Sequence, residues 1–146
     1  MITTTIPGTA LREKPVQFIL LSVDTGLNLI SKTFDPHFDV DESLVSGILT
    51  ALNTCSSEIF SQQLEKVCFG EYTLLMRIEQ PFLFCYIFKG DCNSADFRLT
   101  EIINYLRIEP ELWYSLLATL ETGTVNHRVS FRLDNFLTQM LVHSSS

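Results

Sequence analysis

The sequence holds no C-x-x-C pair, no glycine-rich phosphate loop, no run of like positive charge and no long hydrophobic stretch. Each absence removes a class of function. The four cysteines, Cys55, Cys68, Cys85 and Cys92, are spaced 13, 17 and 7 residues apart, which is not the paired spacing of a zinc site. Neither G-x-G-x-x-G nor G-x-x-x-x-G-K occurs among the six glycines, so the chain has no motif for holding a nucleotide. Ten Lys and Arg stand against 17 Asp and Glu, a net charge of −7, and the cations are scattered. Nucleic-acid binding then lacks its main electrostatic contribution. The longest apolar run is about eight residues, far short of the roughly 20 that span a bilayer. The opening MITTTIPGTALREKP has no apolar core between a basic start and a small-residue cleavage site, so it does not read as a signal peptide.

What is present is a core. The 146 residues are 46% hydrophobic and only 18% charged, enough for one domain and too apolar for intrinsic disorder. With that much core the cysteines are not needed as staples, and Cys85, inside the apolar run Phe82 to Phe88, reads as a small hydrophobe. Free, reduced thiols and a soluble, cytoplasmic protein are the expectation.

The run VQFILLSV, Val16 to Val23, ends at Asp24-Thr25-Gly26 and is followed at once by Leu27 to Phe34, the pattern of a β-hairpin. Asp39 and Glu42 have capping-box spacing, and Leu44, Ile48, Leu52, Cys55 and Ile59 then mark one face of a helix reaching about Gln63. Strands are expected at Lys66 to Phe69, Tyr72 to Glu79 and Phe82 to Lys89, separated by Gly70-Glu71 and Gln80-Pro81. The first and fifth strands are apolar on both faces and belong at the centre, covered by helices on both sides; Leu27 to Phe34 and Lys66 to Phe69 read as the edges. Asn93-Ser94 can cap a helix from about Ala95 to Leu106. Pro110 opens another, to about Glu121, with Gly123 as its C-cap, and a last helix runs from about Arg128 to Val142. The stripe Val129, Leu133, Phe136, Leu137, Met140 and Leu141 on that last helix is too apolar to be left in water.

The order β-β-α-β-β-β-α-α, the opening FILLSVDTGLNLISKTFDP and the stretch CFGEYTLLMRIEQPFLFCYIFKGDCNSADFRLTEIINYL resemble the longin fold of the longin/roadblock superfamily, which includes the small chains of clathrin adaptors. The resemblance covers roughly residues 16 to 121. It implies an α/β (α+β) fold: a five-stranded, mainly antiparallel sheet in the order 2-1-5-4-3 with helices on both faces, here with an extra C-terminal helix. Residues 1–15 would then be a flexible leader, 16–122 the longin-like domain, and 123–146 an amphipathic helix and tail packed on it. A roadblock domain proper would begin with a helix before the first hairpin, and a longin SNARE would continue into a long heptad helix, so neither subfamily fits as well. The resemblance further implies a non-enzymatic interaction or scaffold module in small-GTPase regulation or membrane trafficking. It would be peripheral to membranes only through its partners, which would be itself, a longin or roadblock subunit, and a small GTPase. The alternative is a small-molecule-sensing module of similar sheet-and-helix architecture, against which the continuous apolar strands argue.

The candidate interaction surface is the edge strand Lys66, Val67, Cys68 and Phe69, beside the face Ser43, Gly47, Thr50, Asn53 and Ser57 of the first helix. That face is small and uncharged, suiting either close docking or plain solvation. Proline at Val67 would remove a ladder donor from the edge. The acidic loop Asp35, His37, Asp39 and Asp41 reads as turn and helix-capping residues rather than a cation site. Cys68 and Cys92 lack a neighbouring histidine, and His37, His127 and His143 fall in loops or the tail, so no catalytic residue, cofactor or metal site is expected. Trp113 reads as a core or inter-helix anchor.

Overall fold

The computed structural model describes residues 13–26, 28–37, 66–123 and 127–141, and it sets the two strands that are apolar on both faces side by side in the middle of one sheet. Strands β1 (Glu13–Ser22), β2 (Asn28–Thr33), β3 (Lys66–Phe69), β4 (Tyr72–Glu79) and β5 (Phe82–Gly90) form one sheet in the order β2-β1-β5-β4-β3. Every pairing is antiparallel. Three helices follow, α1 (Cys92–Ile108), α2 (Pro110–Thr122) and α3 (His127–Leu141).

Alternation along the strands divides the core in two. Phe18 and Leu20 of β1, Leu75 of β4, and Phe82, Phe84, Tyr86 and Phe88 of β5 point to one face, where they pack with residues of all three helices such as Leu99, Ile102, Leu116, Leu133 and Leu137. Val16, Ile19, Leu21, Leu74, Met76, Leu83, Cys85 and Ile87 form a second buried cluster on the other face. The helix expected over 39–63 lies outside the described residues. α3 sits over β2: its Asp134 meets Lys32 at 2.8 Å, and Phe136 stacks on Tyr105 of α1 at 4.1 Å between ring centroids.

Turn chemistry accounts for the boundaries. Gly26 takes φ 73° in the β1–β2 turn, and Gly123 closes α2 at φ 78°, its N–H donating to the Thr119 carbonyl. Two starts differ from the sequence expectation. β1 opens at Glu13 rather than Val16, because Glu13 and Lys14 continue the ladder against Gly90 and Lys89. α1 opens at Cys92 and its cap is Asp91, not Asn93-Ser94; the Asp91 carboxylate accepts the Ser94 N–H at 3.0 Å. Ser94 is instead drawn inward.

Glu13 is buried, and its carboxylate accepts hydrogen bonds from the Tyr86 hydroxyl at 2.8 Å and the Ser94 hydroxyl at 2.6 Å, tying the start of β1 to β5 and to the first turn of α1. A buried phenol in a strand of phenylalanines needs such an acceptor. Burial, with the Glu13 charge beside it, raises the Tyr86 pKa from its ordinary 10.0, so the phenol stays protonated in the fold. The stability this contributes is complete below the unfolded value and is lost as pH rises beyond it. In alkaline titrations unfolding free energy should therefore fall by about 1.4 kcal/mol per pH unit for each such group above roughly pH 10. Tyr86→Phe should make that decline shallower, and an unchanged alkaline slope in urea denaturation would refute the buried, protonated phenol.

Candidate interaction surface

The edge strand is built by a tight turn. Gly70, at φ 61°, and Glu71 form a two-residue loop joining β3 to β4, and the ladder pairs Phe69 with Tyr72, Cys68 with Thr73, Val67 with Leu74 and Lys66 with Leu75. A turn of this length closes with the Phe69 carbonyl accepting from the Tyr72 N–H, and hydrogen-bonded and open pairs then alternate. Phe69 and Val67 thus spend their backbone groups on β4, whereas Lys66 and Cys68 direct theirs away from the sheet. Among the described residues no strand pairs with that outer side.

Of the candidate surface, Lys66, Val67, Cys68 and Phe69 are brought together on β3, with Lys66 and Cys68 exposed and Val67 half-buried against the second core cluster. Ser43, Gly47, Thr50, Asn53 and Ser57 lie outside the described residues. The ladder also corrects the expectation for Val67: its N–H faces β4, so proline there would damage the hairpin itself.

The surroundings of β3 are polar and half-open. A shallow cavity of about 290 Å³, lined by Lys66, Leu75, Arg77, Cys92, Asn93 and Asp96, lies between the β3 end of the sheet and the first turn of α1, with Arg77 held by the Asp96 carboxylate. At the end of the second face, Lys89 reaches Glu71 of the β3–β4 turn at 2.9 Å and lies over the Tyr72 ring, 5.2 Å from its centroid. The hydrogen bond that Lys89 donates to Glu71 is the largest cause that raises the Lys89 pKa, so this tether on the turn is charged throughout the physiological range.

The opposite edge is different. β2 carries α3 against its first face through Lys32–Asp134, and Leu29, Ile30 and Phe34 join the cluster that α3 completes.

The remaining chemistry-bearing residues are dispersed. Asp35 accepts the His37 backbone N–H at 2.9 Å, which holds its carboxyl below the usual range, as a turn residue would; Asp39 and Asp41 lie outside the described residues. Among the described residues no three His, Cys, Asp or Glu side chains are placed to hold a metal ion. The described cysteines are free: Cys68 exposed, Cys92 half-buried, and Cys85 fully buried, where loss of solvation pushes its thiol upward and away from the nucleophilic thiolate. His127 opens α3 instead of lying in a loop. Trp113 packs edge-on against Phe82, ring centroids 5.0 Å apart, as an anchor between α2 and the sheet. No described helix is long and apolar enough to cross a membrane.

No protein-family model matches the chain, and no curated protein matches it. Solved structures do. A Roadblock/LC7 domain from Streptomyces avermitilis is similar at a TM-score of 0.45 and 15% identity, covering 64% of this chain and 87% of that one. Myxococcus xanthus MglB is similar at a TM-score of 0.41 and 18% identity, covering 63% of this chain and 85% of its own. The sheet order β2-β1-β5-β4-β3, antiparallel throughout the described strands and followed by three helices, is the α+β arrangement that the sequence resemblance implied.

Proposed function

We propose that the chain is a non-enzymatic interaction module that dimerises, or pairs with a related longin or roadblock subunit, through the outer side of β3. In that reading it contributes a surface to small-GTPase regulation or membrane trafficking and is cytoplasmic, reaching membranes only through partners. The observation that supports the reading is the outer side of β3, with which no described strand pairs. α3 packs on the face of β2, and on β3 Lys66 and Cys68 direct their backbone donors and acceptors away from β4, with no described strand beside them. An open edge is a template for another chain, and a four-residue strand limits it to a specific, short contact. The sequence resemblance supplies the GTPase and trafficking part of the proposal.

Light scattering at tens of micromolar is expected to give the mass of two chains. Cys68→Pro removes the outward N–H while leaving the β4 ladder intact, since proline is tolerated on an edge whose N–H faces solvent, and should yield a folded monomer. In parallel, purified small GTPases loaded with GDP or GTP should be retained on the immobilised protein in a nucleotide-dependent manner. A wild-type monomer that binds neither a purified longin or roadblock subunit nor any loaded GTPase would overturn the proposal.

A further inference from the structure

We infer, resting on the edge-pairing reading proposed above, that in a β3-to-β3 homodimer the two-fold axis passes at Val67. Antiparallel strands related by an axis normal to the sheet keep their faces, and directly opposite residues must share a face. The two numbers in every opposed pair therefore sum to an even value, and a residue of β3 must meet its own copy on the axis. Lys66, Val67 and Cys68 are the candidates whose pairing stays centred on the strand.

Lys66 on the axis sets two ammonium-bearing side chains directly opposite each other, which is destabilising. Cys68 on the axis pairs Lys66 with the partner's Gly70, but Gly70 is in the turn at φ 61° and cannot take an extended ladder position. Only the two reciprocal bonds between the cysteine backbones would then come from extended residues. Val67 on the axis uses what the edge presents. Lys66 and the partner's Cys68 exchange both backbone hydrogen bonds, Cys68 and the partner's Lys66 do the same, and all four bonds come from the two residues whose groups point outward. The half-buried Val67 meets its copy as the close, open pair, about 4.5 Å between Cα atoms, and extends the second apolar cluster across the axis.

The register makes opposite predictions for one exposed position. With Val67 on the axis, Cys68→Glu faces the partner's Lys66 twice per dimer and should lower the dimer Kd by roughly two- to thirtyfold at low salt, an effect that added salt erases. With Cys68 on the axis the same variant opposes two carboxylates and weakens the dimer. A second measurement needs no charge. In Val67→Cys combined with Cys68→Ser, mild oxidation by a disulfide-exchanging reagent should link the two thiols at position 67 across the axis, identified by peptide mapping, whereas wild-type Cys68 should not link to its copy. A Cys68-to-Cys68 linkage with a weakened Cys68→Glu dimer overturns the register while leaving the dimer. A wild-type protein that is monomeric in light scattering overturns the homodimer and with it the register, while the edge-pairing reading itself falls only if the monomer also binds no purified longin or roadblock subunit.

Discussion

A chain ended at Gly123 is expected to lose the wild-type melting transition and to aggregate. The removed α3 buries Val129, Leu133, Leu137 and Leu141 to 4% exposure or less, in the same cluster as Phe84 of the sheet and Leu99, Ile102 and Ile103 of α1, so its loss uncovers both partners. Each of the four buried α3 side chains contributes about 1.5–3 kcal/mol by leaving water, a large share of the roughly 5–15 kcal/mol that holds a domain folded. The ion pairs of α3, among them Lys32–Asp134 at 2.8 Å and Arg132–Glu111 at 3.2 Å, are partly exposed and add little by comparison. Thermal denaturation by circular dichroism and sedimentation of the truncated chain check both effects. A truncated protein that stays soluble and keeps the wild-type melting temperature would show that α3 is a detachable element.

Phe84→Ala should be the most damaging single substitution in the sheet, with an expected cost of about 3–5 kcal/mol from lost burial and the cavity left behind. Phe84 has no exposure, lies on the central strand β5, and places its ring 6.4 Å from those of both Phe18 and Phe82. Phe82 in turn carries the edge of Trp113, so the near-ultraviolet signal of that single tryptophan should weaken along with stability. Urea denaturation of Phe84→Ala beside Phe84→Leu separates volume from ring loss. A cost below about 1 kcal/mol for the alanine variant would mean that the site collapses without leaving a cavity.

The sheet was legible because its signals are local. Phe82 to Phe88 and Val16 to Leu21 are apolar at every position but Gln17, and Lys66 and Lys32 mark the two outer strands, so centre and edges follow from composition alone. The polar anchor was not legible in the same way. Glu13 stands in a charged stretch, LREKP, that reads as solvated leader, and its burial is decided by Tyr86 and Ser94, 73 and 81 residues away. The one available signal was Tyr86 itself, a hydroxyl in a strand with no local acceptor. The same long-range contact explains the misplaced cap: Asn93-Ser94 has good capping chemistry, but once the Ser94 hydroxyl is committed to Glu13, Asp91 takes the position. For the candidate surface, the strand Lys66–Phe69 could be read from the sequence. Which of its residues face outward could not, because that parity is set by the two-residue turn and its ladder with β4.

The pairing of β1 with β5 also sets the order of events during synthesis. Leu20 and Leu21 have a hairpin partner as soon as β2 emerges, but their other neighbours, Phe84 and Leu83, arrive more than sixty residues later. At ribosomal speeds of about 5–20 residues per second, the central strand β1 waits for several seconds with one side unpaired. Non-local pairing of this kind is the slow step of folding in sheet proteins. A two-stranded hairpin is too small to be stable alone, so the nascent chain is exposed to aggregation until β5 closes the sheet and the three helices that follow cover its first face.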